Sequence, residues 1–184
     1  MTEAPEYHYD VKPSEPTPCP FGKCQSHTPY RYRWPYCLDG QGSSLLFVMK
    51  NPSCPDDTTN QTFRNMVKYA KKLNASSLDV VNLFARRTGK SPKELNDMPS
   101  VEAIGPENDR HIVEAASKAD LVIAAWGDAS GVKEYKTRIA DVDHLLRDHD
   151  LWRVGRVGRD TAQPMHPQVW SPTYDLRLWR PAVS

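Results

Sequence analysis

The sequence has no apolar run of about 18 residues, the length a helix needs to cross a bilayer. Its start, Met1-Thr2-Glu3-Ala4-Pro5-Glu6, lacks both the basic opening and the apolar middle of a secretory signal. A soluble, cytoplasmic protein with no membrane partner is the expectation. An excess of one charge is missing too: 24 basic residues stand against 23 acidic ones, so no global field draws the chain to nucleic acid or to an anionic membrane. Any nucleic-acid contact requires a local patch. Cysteine is scarce, and Cys19, Cys24, Cys37 and Cys54 form no paired Cys-x-x-Cys spacing. In a reducing compartment these are thiols or metal ligands, not disulfide halves. Unrelated small residues without a cofactor are one reading; a zinc or iron–sulfur site using Cys19, Cys24 and Cys37 is the other. A Gly-rich loop for a cofactor phosphate is also lacking.

What is present suffices for one domain. At 184 residues the chain can bury roughly two thirds of the surface its unfolded form exposes. Residues 1–30 carry Pro5, Pro13, Pro16, Pro18, Pro20 and Pro29 with few aliphatics, a proline-rich arm outside a domain spanning 31–184. Tyr30-Arg31-Tyr32-Arg33-Trp34 alternates with the period of a strand, predicting an edge strand with its three aromatics on one face.

Three apolar runs then predict buried strands: Leu45 to Met49, Ser77 to Phe84, and Leu121 to Gly127. Leu151 to Val157 predicts a fourth. Between them, helical spacing places helices over about 62 to 73, from Gly105-Pro106-Glu107 to Asp120, and from Lys136 to His149. Strands alternating with helices predict a three-layer α/β/α fold on a mostly parallel four-stranded sheet.

The strands share a way of ending. Asn51-Pro52-Ser53 follows the first, Asn82 and Arg86-Arg87 close the second, Trp126-Gly127 closes the third, and the fourth feeds a loop with His166-Pro167. In a parallel sheet these ends converge on one edge, so Asn51, Asn82 and His166 are predicted to surround one small ligand. None is a strong nucleophile. The chemistry implied is hydrogen-bond recognition and charge stabilisation, not an acyl-enzyme route. Two basic groups flank that edge as candidate contacts for a nucleic-acid backbone: Arg86 with Arg87, and Arg153, Arg156 and Arg159 at every third position.

From about Tyr32 onward the chain resembles an uncharacterised family, domain of unknown function 1643. The motifs that carry the likeness are the Asn51-Pro52-Ser53 turn, Val80-Val81-Asn82-Leu83-Phe84, Ala124-Ala125-Trp126-Gly127 and His166-Pro167. That family in turn looks like a remote relative of the uracil-DNA glycosylase superfamily, matched here by Met49-Lys50-Asn51-Pro52, Asn82, Gly127 and His166-Pro167-Gln168. The resemblance implies a glycosylase-like monomer that recognises a pyrimidine, modified or not, in DNA or a nucleotide, and hydrolyses its N-glycosidic bond in DNA repair or modification. It implies that His166 assists the departing base, Asn82 reads the base edge, and Asn51 positions the attacking water. Pro52, Ser53, Phe84, Trp126 and Gly127 complete the expected substrate-binding set, with Phe63 as a further stacking candidate and Met165 as a wedge. Met49 stands where that superfamily has glycine, and Gln168 where it has serine. These differences motivate an alternative, an inactive module of the same fold that binds a nucleotide or modified DNA; a base-modifying enzyme of a phage or nucleoside pathway, sharing the pocket but needing a second substrate, is a further one.

Overall fold

In a computed structural model, which describes residues 28–38, 40–53, 60–156 and 161–183, the apolar run from Leu45 to Met49 is buried on both faces. Such burial is what a central parallel strand needs, because helices cover both of its sides. The elements are β1 (Tyr36–Cys37), β2 (Gly42–Met49), α1 (Gln61–Lys72), β3 (Ala75–Asn82), α2 (Ser100–Ile104), α3 (Asn108–Ala116), β4 (Leu121–Ala124), α4 (Tyr135–Leu145), β5 (Leu151–Gly155) and β6 (Asp175–Arg180). Short 3₁₀ turns form at Pro92–Asp97 and Pro167–Val169. The expectations for Cys19, Cys24, Cys54 and Arg159 lie outside the described residues.

The sheet is mixed and six-stranded, in the order β1-β3-β2-β4-β5-β6. This corrects the four-stranded expectation. The four foreseen strands form the parallel centre, and β1 and β6 add antiparallel edges against β3 and β5. Period-two alternation splits the core. Leu45, Phe47 and Met49 pack with Phe63, Met66 and Tyr69 of α1, whereas Leu46 and Val48 face Ile112 of α3 and Val142 of α4. Helices thus lie on both faces.

Tyr30 to Trp34 does not form the predicted edge strand. Its backbone touches the sheet only at points, with Tyr30 bridged to Arg86 and the Trp34 N–H donating to the Val80 carbonyl at 3.0 Å. Pro35, which follows, has no N–H with which to extend a ladder. The aromatics also divide between faces: Tyr32 stacks on His111 of α3 with ring centroids 4.8 Å apart, and Trp34 meets Phe63 of α1 at the same separation.

Candidate functional site

After β2 the chain crosses to β3 on one side, and after β4 it moves to β5 on the other. The gap between the carboxyl ends of β2 and β4 is therefore the switch point where an open α/β sheet leaves a crevice. A cleft of about 850 Å³ opens there. Its lining includes Lys50 and Asn51 after β2, Asn82 at the end of β3, Gly127 and Asp128 after β4, and His166. The three side chains expected to meet do meet around one cavity.

Asn82 is 1% exposed, and neither its amide nitrogen nor its amide oxygen has a hydrogen-bond partner among the described residues. An unpaired buried amide costs roughly 1–3 kcal/mol, so a group left in this state invites a ligand. Other buried side chains lack one bond; Asn82 lacks both. Its backbone carbonyl, by contrast, accepts from Asn108 Nδ2 at 2.9 Å. The strand end is fixed while its side chain stays available.

Asn51 Nδ2 donates to Thr88 Oγ1 at 2.8 Å and to the Pro52 carbonyl at 3.2 Å, and the Thr88 N–H returns a bond to Pro52 at 3.1 Å. These bonds sew the loop after β2 to the loop after β3. With its nitrogen engaged, Asn51 presents its carbonyl oxygen as the acceptor for a ligand or a water. Glu94 holds the second loop from behind by accepting from the N–H groups of Gly89, Lys90 and Ser91 at 2.7–2.9 Å. Burial alone would raise the Glu94 carboxyl, but those three donors and Lys90 keep it below the usual carboxylate range.

His166 reaches the cleft because Gly127 lets it. Gly127 has φ +74°, and a Cβ there would sit 2.8 Å from the Cβ of His166; only glycine combines that backbone with so close an approach. The Gly127 N–H donates to the Pro164 carbonyl at 3.1 Å, and Tyr135 donates to the Gly127 carbonyl. From the other side, Asn65 of α1 donates to the Pro167 carbonyl at 2.7 Å, and Trp170 Nε1 donates to the Met165 carbonyl at 3.0 Å. The imidazole accepts from the Gln168 N–H at Nδ1, 3.2 Å, which places the proton of the neutral ring on Nε2. Burial, with the positive charge of Lys50 nearby, pushes His166 down to about 4. At neutral pH it is a neutral donor.

Lys50 is the residue that sequence reasoning left without a role. Its side chain is 8% exposed, with Nζ 2.7 Å from Ser130 Oγ, 3.4 Å from Asp128 Oδ1 and 5.5 Å from the centroid of the Tyr135 ring. Burial pushes its ammonium down, and Asp128 opposes the shift. Asp128 itself is held low by the Ser130 hydroxyl and Lys50. A lysine directly after five buried apolar residues was the signal in the sequence.

Other expected residues fall elsewhere. Ser53 and Gly127 line the cleft, as do Phe63 and Met165, whereas Pro52 is buried behind it. Phe84 and Trp126 lie in the core beneath α3 and α4, at 1% and 0% exposure, and neither lines the cleft. Trp126 reaches it only through Gln163, to which its Nε1 donates at 3.0 Å. Arg86 pairs with Glu102 at 3.3 Å and lies over the Tyr30 ring, and Arg87 is 5% exposed, so this pair is not the open basic loop expected. Arg153 donates to the Thr161 carbonyl at 2.9 Å and Arg156 is exposed; neither lines the cleft. Among the described residues, the cations that do are Arg31, Lys50 and Lys90. Cys37 is an exposed free thiol, and no group of three or more metal-ligating His, Cys, Asp or Glu side chains occurs among the described residues. No helix among them is long and apolar enough to cross a membrane.

Residues 31–168 match a family described as Protein of unknown function (DUF1643). No curated protein and no solved structure matches the chain.

Proposed function

Because the chain belongs to this DUF1643 family, whose description assigns no activity, we propose a function from the site itself: hydrolysis of the N-glycosidic bond of a pyrimidine, modified or not, in DNA or a nucleotide. The observation that carries this reading is Asn82, a buried amide with a free donor and a free acceptor on the wall of the cleft that also holds Asn51 and His166. A pyrimidine edge presents the complementary donor and acceptor side by side. Phe63, Met66 and Trp34 supply an apolar wall against which a planar base can pack.

On this reading the C1′–N bond breaks with its electron pair leaving on the base. The Nε2–H of His166 donates to the charge that gathers on a base carbonyl. Asn51 orients the water whose oxygen joins C1′ and whose proton passes to solvent. An amide cannot take that proton, so turnover is slow. A fold of the uracil-DNA glycosylase type belongs to the same proposal, supported by the helix layers on both faces and the site at the switch point.

Incubation with DNA carrying uracil, hydroxymethylated or glycosylated pyrimidines, followed by detection of abasic sites, tests it. Release from at least one substrate, lost in His166→Ala with unchanged unfolding, is the expected result. No release from any of them removes the glycosylase reading. Saturable binding without release would instead favour an inactive binding module. Met49 and Gln168, which differ from the superfamily pattern, both line the cleft and motivate that second reading.

A further inference from the structure

We propose that Lys50 and His166 form one anion-receiving corner of the cleft, in which the departing base is held as its monoanion. This rests on the base-binding reading above and adds a catalytic residue to it. The Lys50 ammonium carries three donors. Ser130 Oγ takes one at 2.7 Å, Asp128 takes a second only at 3.4 Å, and the third makes no hydrogen bond among the described residues, the ammonium's remaining contact being the Tyr135 ring at 5.5 Å. The carboxylate that would neutralise it is 87% exposed, so water screens much of its charge. Ser130 has a left-handed backbone, φ +47°, rare for a non-glycine residue, and its hydroxyl bridges Lys50 and Asp128. The fold thus keeps a cation against a cavity wall without matching it with a buried anion. Lys50 and His166 line one cleft, and the Lys50 charge acts on the imidazole.

When the glycosidic bond breaks, the electron pair delocalises onto the base carbonyls. Two donors at this corner, one fully charged, stabilise that state more than the neutral, bonded base. No proton needs to move from either group. Lys50 therefore favours bases that are acidic as free molecules, and the site discriminates by leaving-group acidity as well as by the pattern Asn82 reads.

The test compares free uracil, free 5-nitrouracil and inorganic phosphate at slightly alkaline pH, where 5-nitrouracil is a monoanion and uracil is largely neutral. Wild-type protein is expected to bind 5-nitrouracil at least about tenfold tighter than uracil. The preference should fall below about twofold in Lys50→Met and return in part in Lys50→Arg. Equal affinities in the wild type overturn the proposal without any variant, so misfolding of Lys50→Met leaves it falsifiable. Persistence of the preference in a folded Lys50→Met also overturns it, as does phosphate displacing neither base while requiring Lys50 for its own binding. Failure of every base to bind overturns the base-binding reading as well, whereas bases bound without charge preference overturn only this inference. A second readout follows the His166 ring by NMR. The charged groups facing it are Lys50 after β2 and Asp128 after β4, with Tyr135 of α4 packed against Lys50. Removing the cation should raise the ring's titration midpoint, and an unchanged midpoint refutes the adjacency.

Discussion

Two buried polar groups meet at the end of β3 and differ in how completely they are bonded. On the α3 and α4 side, Asn108 gives its amide hydrogens to the carbonyls of Asn82 and Leu83 at 2.9 and 3.1 Å. Arg138, 2% exposed, donates to the same Leu83 carbonyl at 2.7 Å and to Asp109. On the cleft side, Asn82 and Lys50 retain unused donors. The first group spends its donors within the protein, leaving the Asn108 amide oxygen as a buried atom without a partner among the described residues, and fixes where β3 stops. The second is held open at an energetic cost. Buried polar groups that build a fold and those that await a ligand are thus told apart by whether their donors are engaged.

Substitutions should separate the two groups. The largest effect is expected on the closed side: Arg138→Ala leaves Leu83 short of a donor and opens a cavity, lowering unfolding free energy by about 3 kcal/mol in a denaturant titration. A loss under about 1 kcal/mol would mean that this cluster does not set the strand end. On the open side, His166→Ala should slow base release by about 10²–10³-fold, with the unfolding midpoint nearly unmoved. An equal loss of stability and activity would dissolve the contrast.

The pH response comes next in size. His166 titrates at about 4 in the folded chain and near 6.5 when unfolded, so the unfolded state binds the extra proton first as pH falls. Stability from this group is complete above about pH 6.5 and is lost between there and pH 4, by an amount on the order of 2 kcal/mol. His166→Gln should flatten that part of the stability–pH curve, and a curve identical to wild type would refute the assignment. The smallest effect belongs to the unpaired amide. Asn82→Leu, which removes two unsatisfied atoms at similar volume, should change unfolding free energy by less than about 1 kcal/mol while abolishing base binding. A large destabilisation would show that the amide has structural work after all.

Much of the architecture was readable in the chain. The observed α1, Gln61–Lys72, lies within a residue of the expected span, and Leu45 to Met49 is the buried strand its composition demanded. The C-terminal strand was legible in part: Asp175-Leu176-Arg177-Leu178 alternates polar and apolar residues with period two, and Trp179 breaks the alternation where the pairing with β5 shifts register. Phe84 was misplaced for a definite reason. Strand alternation would put it on the face of Asn82, but regular β3 ends at Asn82, and Leu83 and Phe84 both turn into the core beneath α3. Arg86 and Arg87 looked like a solvent-facing loop because the residues that cover them, Pro29 and Tyr30, come more than fifty positions earlier. Lys50 was given no role, since its burial depends on Tyr135 and Ser130, about eighty residues later.

Local pattern by itself determined the parallel strands, most of the helices, and the polar residues set at the strand ends, because hydrophobic period and turn chemistry act over a few neighbours. Tertiary structure decided the rest: the strand order that opens a crevice between β2 and β4, the two added edges, and which polar side chains find partners. Whether a buried amide or ammonium is satisfied depends on groups brought from distant parts of the chain, and no window of sequence contains them.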